Sequence, residues 1–160
     1  MRILMVALFS ACVCSAATAE SEWSIDKPME VIPDTPLTGT IYGRQFVLGS
    51  AEIRNNLLLI TSKDKLGLWP ESQLYIFVKL TDEKKEWVIT PDSEKNIPHV
   101  HMKFAKKGKR FSGNLMYTGE YSMKLVFTEV TESKAKGKIH ISFPDYKKSH
   151  LVGSFTADVK

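Results

Sequence analysis

Tyr121-Ser-Met-Lys-Leu-Val-Phe127, Lys138-Ile-His-Ile-Ser-Phe143 and Leu151-Val-Gly-Ser-Phe-Thr-Ala-Asp-Val159 are the stretches that decide the fold. In each, the apolar residues take alternate places: Tyr121, Met123, Leu125 and Phe127; Ile139, Ile141 and Phe143; Leu151, Gly153, Phe155, Ala157 and Val159. A repeat of two is that of a β-strand, whose successive side chains leave on opposite faces. The intervening Ser122, Lys124, Lys138, His140, Ser142, Ser154, Thr156 and Asp158 predict an ordinary solvated face. Short lysine-rich connections join the three runs, so they read as an antiparallel meander, one wall of an all-β domain.

Upstream, Ala51–Arg54 and Leu57–Thr61 flank Asn55-Asn56, a pair that tolerates the left-handed backbone of a two-residue hairpin turn. Thr38–Val47 reads as a strand pair or one bent strand, with Gly39 and Gly43 at kinks or close approaches. Gln73–Leu80 is apolar on both faces, and Glu86–Thr90 is its expected hairpin partner across a turn at residues 82–85. Val100, Met102 and Phe104 alternate with His99, His101 and Lys103, and Phe111–Thr118 follows. No window of ten residues shows helical spacing, so no long helix is expected. The chain therefore reads as antiparallel strands in meander order, about nine or ten of them, forming a β-sandwich or a flattened β-barrel.

Met1-Arg2, the apolar run Ile3–Val13 and Ala17-Thr18-Ala19 before Glu20 have the order of a cleavable secretory signal peptide, residues 1–19. The apolar run is too short for a permanent membrane-spanning helix. A rival reading takes Phe9-Ser10-Ala11-Cys12 as a lipoprotein processing site, with Cys12 lipidated. Both readings place the protein outside the cytoplasm, secreted or periplasmic. Residues 20–37, with Pro28, Pro33 and Pro36, form a leader that crosses the surface or lies on an edge, and Trp23 is its natural anchor. Residues 38–160 make a single β domain. Both cysteines, Cys12 and Cys14, fall within the signal, so the cleaved chain has no disulfide and holds together by burial alone. A chain of roughly 140 residues buries about two-thirds of its unfolded surface, enough for one core.

A net charge of +4, spread over Lys103–Arg110, Lys134–Lys138 and Lys147–Lys148, lies in turns where lysine protects strand edges, and it does not make a nucleic-acid footprint. His99-x-His101 places two imidazoles on one strand face, with His140 and His150 the remaining histidines. A metal-dependent or hydrolytic enzyme built on these four is the alternative functional reading. Asp92-x-Glu94-x-Asn96 lacks the glycine and distant glutamate of a calcium loop and reads as a solvated turn. No nucleophile elbow, phosphate loop or cofactor motif is present, so no cofactor and no catalytic residue are assigned. The aromatics Trp69, Tyr75, Phe77 and Trp87 are the candidate ligand-binding residues. They suit stacking on a sugar ring, holding an apolar ligand or docking a protein, which makes a non-enzymatic binding or interaction domain the preferred reading.

Overall fold

A computed structural model of the chain describes residues 23–63, 70–81, 85–106 and 109–160. The expected signal peptide with Cys12, the candidate Trp69, and most of the expected turn at 82–85 lie outside the described residues. Ten strands follow in order: β1 (Thr38–Ile41), β2 (Arg44–Arg54), β3 (Leu57–Ser62), β4 (Ser72–Phe77), β5 (Glu86–Ile89), β6 (Val100–Lys106), β7 (Lys109–Tyr117), β8 (Ser122–Val130), β9 (Lys134–Ser142) and β10 (His150–Val159). They form one sheet in the spatial order β5-β8-β9-β10-β1-β2-β3-β4-β6-β7, curled into a half-barrel with no helix among the described residues. The all-β architecture is as expected, on the barrel side of the two alternatives.

Local hairpins account for most of the pairing. Asn55 and Asn56 both take the left-handed conformation, with φ of 48° and 63°, and place Arg54 opposite Leu57 as anticipated. The alternation at the C-terminus also holds: Met123 lies opposite Ile141, Leu125 opposite Ile139, and Leu151 opposite Ile141 from the other side. One expected pairing is overturned. Glu86–Ile89 does not return along β4; it lies beside β8, with Trp87 opposite Leu125 and Ile89 opposite Met123. The neighbours of β4 are β3 and β6. An apolar strand can satisfy its backbone against any exposed edge, and local proximity loses here to the match of Trp87 and Ile89 with the inward row of β8.

The two walls meet at β1. This four-residue strand is hydrogen-bonded to β10 on one side and β2 on the other, Gly39 lying between Leu151 and Phe46. Beyond its end the outer strands touch directly, Asp158 beside Glu52 and Val159 beside Ile53, in parallel. Gly39 has a φ of 148°, and a Cβ there would run into the His150 carbonyl oxygen, so only glycine lets the backbones come this close.

Inward side chains of both walls interdigitate in one core: Leu58, Ile60, Leu74, Ile76, Val100 and Met102 from one, Met123, Leu125, Ile139, Ile141 and Phe155 from the other, all buried. One end is plugged by aromatics. Tyr42, in the β1–β2 turn, has a φ of 49°, a conformation that costs a non-glycine residue roughly 1–2 kcal/mol. Its ring stacks on Phe104 at a centroid distance of 3.9 Å, its N–H donates to Ser149 Oγ at 2.7 Å, and its hydroxyl accepts from Tyr146 at 3.0 Å. The Phe104 ring also occupies the space that a Cβ on Gly113 would need. Tyr117 and Tyr121 pack on Phe143, and the Tyr121 hydroxyl donates to the Pro98 carbonyl at 2.6 Å. Burial pushes both phenols above the usual tyrosine range. The interior is therefore packed with side chains.

Residues 23–37 cross the outer face of β8, β9 and β10. Trp23 Nε1 donates to the Phe143 carbonyl at 3.0 Å, Ser24 N–H to Ser142 Oγ at 3.2 Å and Met29 N–H to His140 Nδ1 at 3.1 Å. At the far end Leu37 N–H donates to the Ser154 carbonyl, and Ser154 N–H and Oγ donate to the Thr35 carbonyl. This corrects the expectation of a wholly wet outer face on the C-terminal meander: Ser122, His140 and Ser142 are each 0 % exposed. Alternation fixes which face a residue takes; it does not say what a distant segment lays over that face.

Replacing Gly39 with Ala adds a backbone clash to a conformation that only glycine tolerates. The expected loss, read by urea unfolding, is at least about 2 kcal/mol. Gly119→Ala, whose new methyl would meet only Ile97 at 3.9 Å, stays within about 0.5 kcal/mol of the parent.

Candidate functional site

β3, β4, β6 and β7 present their second face to solvent, and cross-strand register groups its side chains into rows. One row runs Glu52, Leu59, Tyr75, His101, Met116. The next holds Arg54, Leu57 and Phe77, with His99 beside Phe77 through the Phe77 N–H to His99 carbonyl bond at 2.9 Å. A third, Thr61, Gln73, Lys103, Asn114, is polar throughout. Two rows rich in apolar side chains thus lie side by side against a polar one. Phe77 is 45 % exposed and Met116 65 %, while Leu57, Leu59, Tyr75 and His101 are half-buried between them.

Several of these side chains are held in place. Phe77 and His101 rings lie 5.0 Å apart, tilted at 58°. The Tyr75 hydroxyl donates to Gln73 Oε1 at 2.9 Å, and Lys103 Nζ sits 4.6 Å from the Tyr75 ring centroid. Charge around the patch is cationic: Arg54 and Lys103 flank it, and the neighbouring Glu52 is taken up by ion pairs to Lys160 and Arg54. The surface is apolar at its centre, partly fixed before any contact, and basic at its rim.

Of the candidate aromatics, the structure brings together Tyr75 and Phe77, both on the outer face of β4. It sets Trp87 apart: the indole is 5 % exposed, faces the core from β5 and meets Phe127 edge-on at 6.1 Å. Trp69 lies outside the described residues. Sequence reasoning missed Leu57, Leu59 and Met116 as members of the face. The four consecutive apolar residues Leu57–Ile60 carried a signal for the first two, since a strand with water on one face does not need both. Met116 is visible only once β6–β7 register is known.

The four histidines do not converge. His99 and His101 belong to the outer surface around β6, His140 is buried on β9, and His150 opens β10 with Nδ1 2.9 Å from the Lys148 carbonyl oxygen. Among the described residues no three His, Cys, Asp or Glu stand close enough to share a metal ion. A cavity of about 630 Å³ is lined by residues 23–31 of the leader, with no strand residue among its described walls. Comparison with family models, curated proteins and solved structures finds no match to this chain.

The placement of the aromatics makes a sharp contrast testable by thermal or denaturant unfolding. Trp87→Ala should cost about 3–5 kcal/mol, as for a large core aromatic. Phe77→Ser on the open face should stay within about 1 kcal/mol.

Proposed function

We propose that the protein is an exported, non-enzymatic interaction module that binds a protein partner through the outer face of β3, β4, β6 and β7. The observation that carries this reading is the adjacency of Phe77 and Met116 with half-buried Leu57, Leu59 and Tyr75 on one face of the sheet. Single exposed apolar residues are commonplace on a surface; grouped ones rich in aromatics and methionine mark contact sites. The shape favours a protein over a small molecule. Small ligands are bound in concave pockets, whereas this patch is on the convex side of a curled sheet whose interior is filled. The partner's complementary surface is apolar at its centre and acidic at its edge, opposite Arg54 and Lys103.

Export rests on the order of Met1-Arg2, Ile3–Val13 and Ala17-Thr18-Ala19 in the sequence, and the non-enzymatic reading rests on the lack of a nucleophile elbow, phosphate loop or cofactor motif in that sequence. Sugar stacking is the competing use of Tyr75 and Phe77, and it requires the same face.

A photo-reactive phenylalanine placed at position 77 or 116 in the exporting cell tests the reading. Both positions should give the same discrete protein adduct, and position 88, exposed on the opposite wall, should not. No adduct from either site, or the same adducts from all three, contradicts it; glycan-array binding that requires Phe77 in place of a protein adduct would exchange the partner for a sugar.

A further inference from the structure

The sheet ends at β5 on one side and at β7 on the other, and the two edges differ. β5 is four residues long and begins at Glu86. β7 runs for nine residues and, from Phe111 to Tyr117, holds neither a charge nor a proline. Proteins blunt sheet edges with charge, proline, bulges, short strands or a covering segment, because unpaired backbone groups accept any extended chain. Among the described residues β6 is the only strand paired with β7, and the register from Gly113 to Tyr117 is unbroken.

The hydrogen bonds of β6 fix which groups of β7 point away from the sheet. His99 accepts from the Phe77 N–H at 2.9 Å, and the Ala105 N–H donates to the Glu71 carbonyl at 2.8 Å. Successive residues of an antiparallel strand turn their N–H and C=O groups to alternate neighbours. Odd-numbered residues of β6 therefore bond to β4, and Val100, Met102 and Phe104 bond to β7, where they lie opposite Tyr117, Leu115 and Gly113. It follows that Asn114 and Met116 direct their backbone N–H and C=O groups outward. Both residues are exposed.

This edge is continuous with the open apolar face. Met116 ends the row Leu59, Tyr75, His101, and Asn114 ends the polar row that contains Lys103. Between them Leu115 points inward, half-buried at the margin of the core. An antiparallel chain laid along β7 would meet Met116 with one side chain on the outer face, Leu115 with the next on the inner face, and Asn114 with the third on the outer face again. The first two positions call for apolar side chains. The third lies in the row of the Lys103 ammonium and calls for an acidic one.

Taking the outer face of β3, β4, β6 and β7 as a protein contact surface, we infer that the partner binds by strand addition: an extended segment of it, apolar-apolar-acidic in sequence, pairs antiparallel with β7 as an eleventh strand. Backbone bonds at Asn114 and Met116 supply the pairing, and the alternate side chains supply the choice of segment. The rest of the partner covers Phe77.

Asn114→Pro tests this, since proline there deletes one outward N–H and no bond to β6. Its urea midpoint should stay that of the parent. In the exporting cell, the protein adduct from a photo-reactive phenylalanine at position 77 should fall about tenfold in the variant, the effect of one lost backbone bond. An undiminished adduct overturns strand addition and leaves the contact face standing; no adduct from the parent chain removes both; an adduct that proves to be a second copy of this chain overturns the inference in favour of self-pairing. If Asn114→Pro does not fold, hydrogen exchange on the purified position-77 adduct decides. Slower exchange of the Asn114 and Met116 amides than in the isolated chain supports strand addition, and unchanged exchange refutes it.

Discussion

Ten strands in one sheet depend on a contact four residues long. β8–β9–β10 and β2–β3–β4 are hairpin arrays that sequence neighbours assemble, and either alone would leave its apolar face in water. β1 joins them by pairing with β10 and β2 at once, and below it Asp158 and Val159 reach Glu52 and Ile53 directly. This spreading of β10 over two partners bends the sheet until the inward rows of both walls meet. Gly39 is the place where the backbones come closest, and the aromatic plug of Tyr42, Phe104 and Phe143 closes the end of the core that this bend creates.

With its interior filled, the half-barrel offers only its outside to the proposed partner. The two walls treat that outside differently. Over β8–β10, the leader covers a polar strip and satisfies Ser142 and His140 with its own backbone N–H groups. Over β3, β4, β6 and β7, the rows through Phe77 and Met116 remain open to solvent. Apolar surface left in water opposes solubility, and this is the ground on which the proposed contact surface is placed on the open wall.

The pattern of the C-terminal third is legible because period-two alternation records a real difference between two environments: Tyr121, Met123, Leu125 and Phe127 are buried as the alternation requires. The Asn55-Asn56 turn is legible for an equally local reason, the side chain's tolerance of positive φ. What alternation does not encode is partnership at a distance. Trp87 reads as a surface aromatic when β5 is paired with β4, its neighbour in sequence, whereas its inward row in fact matches β8. The wet face expected at Ser122, His140 and Ser142 fails similarly, since residues more than a hundred positions earlier lie over His140 and Ser142. Of the candidate face, Tyr75 and Phe77 are visible from the double-sided apolarity of their strand, whereas Met116 needs the β6–β7 register.

A contact surface on the open face must be covered where the protein works. Oxidative footprinting of Met116 tests this even while the partner is unidentified, by comparing purified protein with the protein in the cells or medium where it acts. At 65 % exposure the thioether should be among the most reactive in the isolated chain. Met116 is expected to become protected in situ, together with Phe77, while Tyr146 on the far end keeps its reactivity. Equal reactivity of Met116 in both settings would contradict the proposed role of this face.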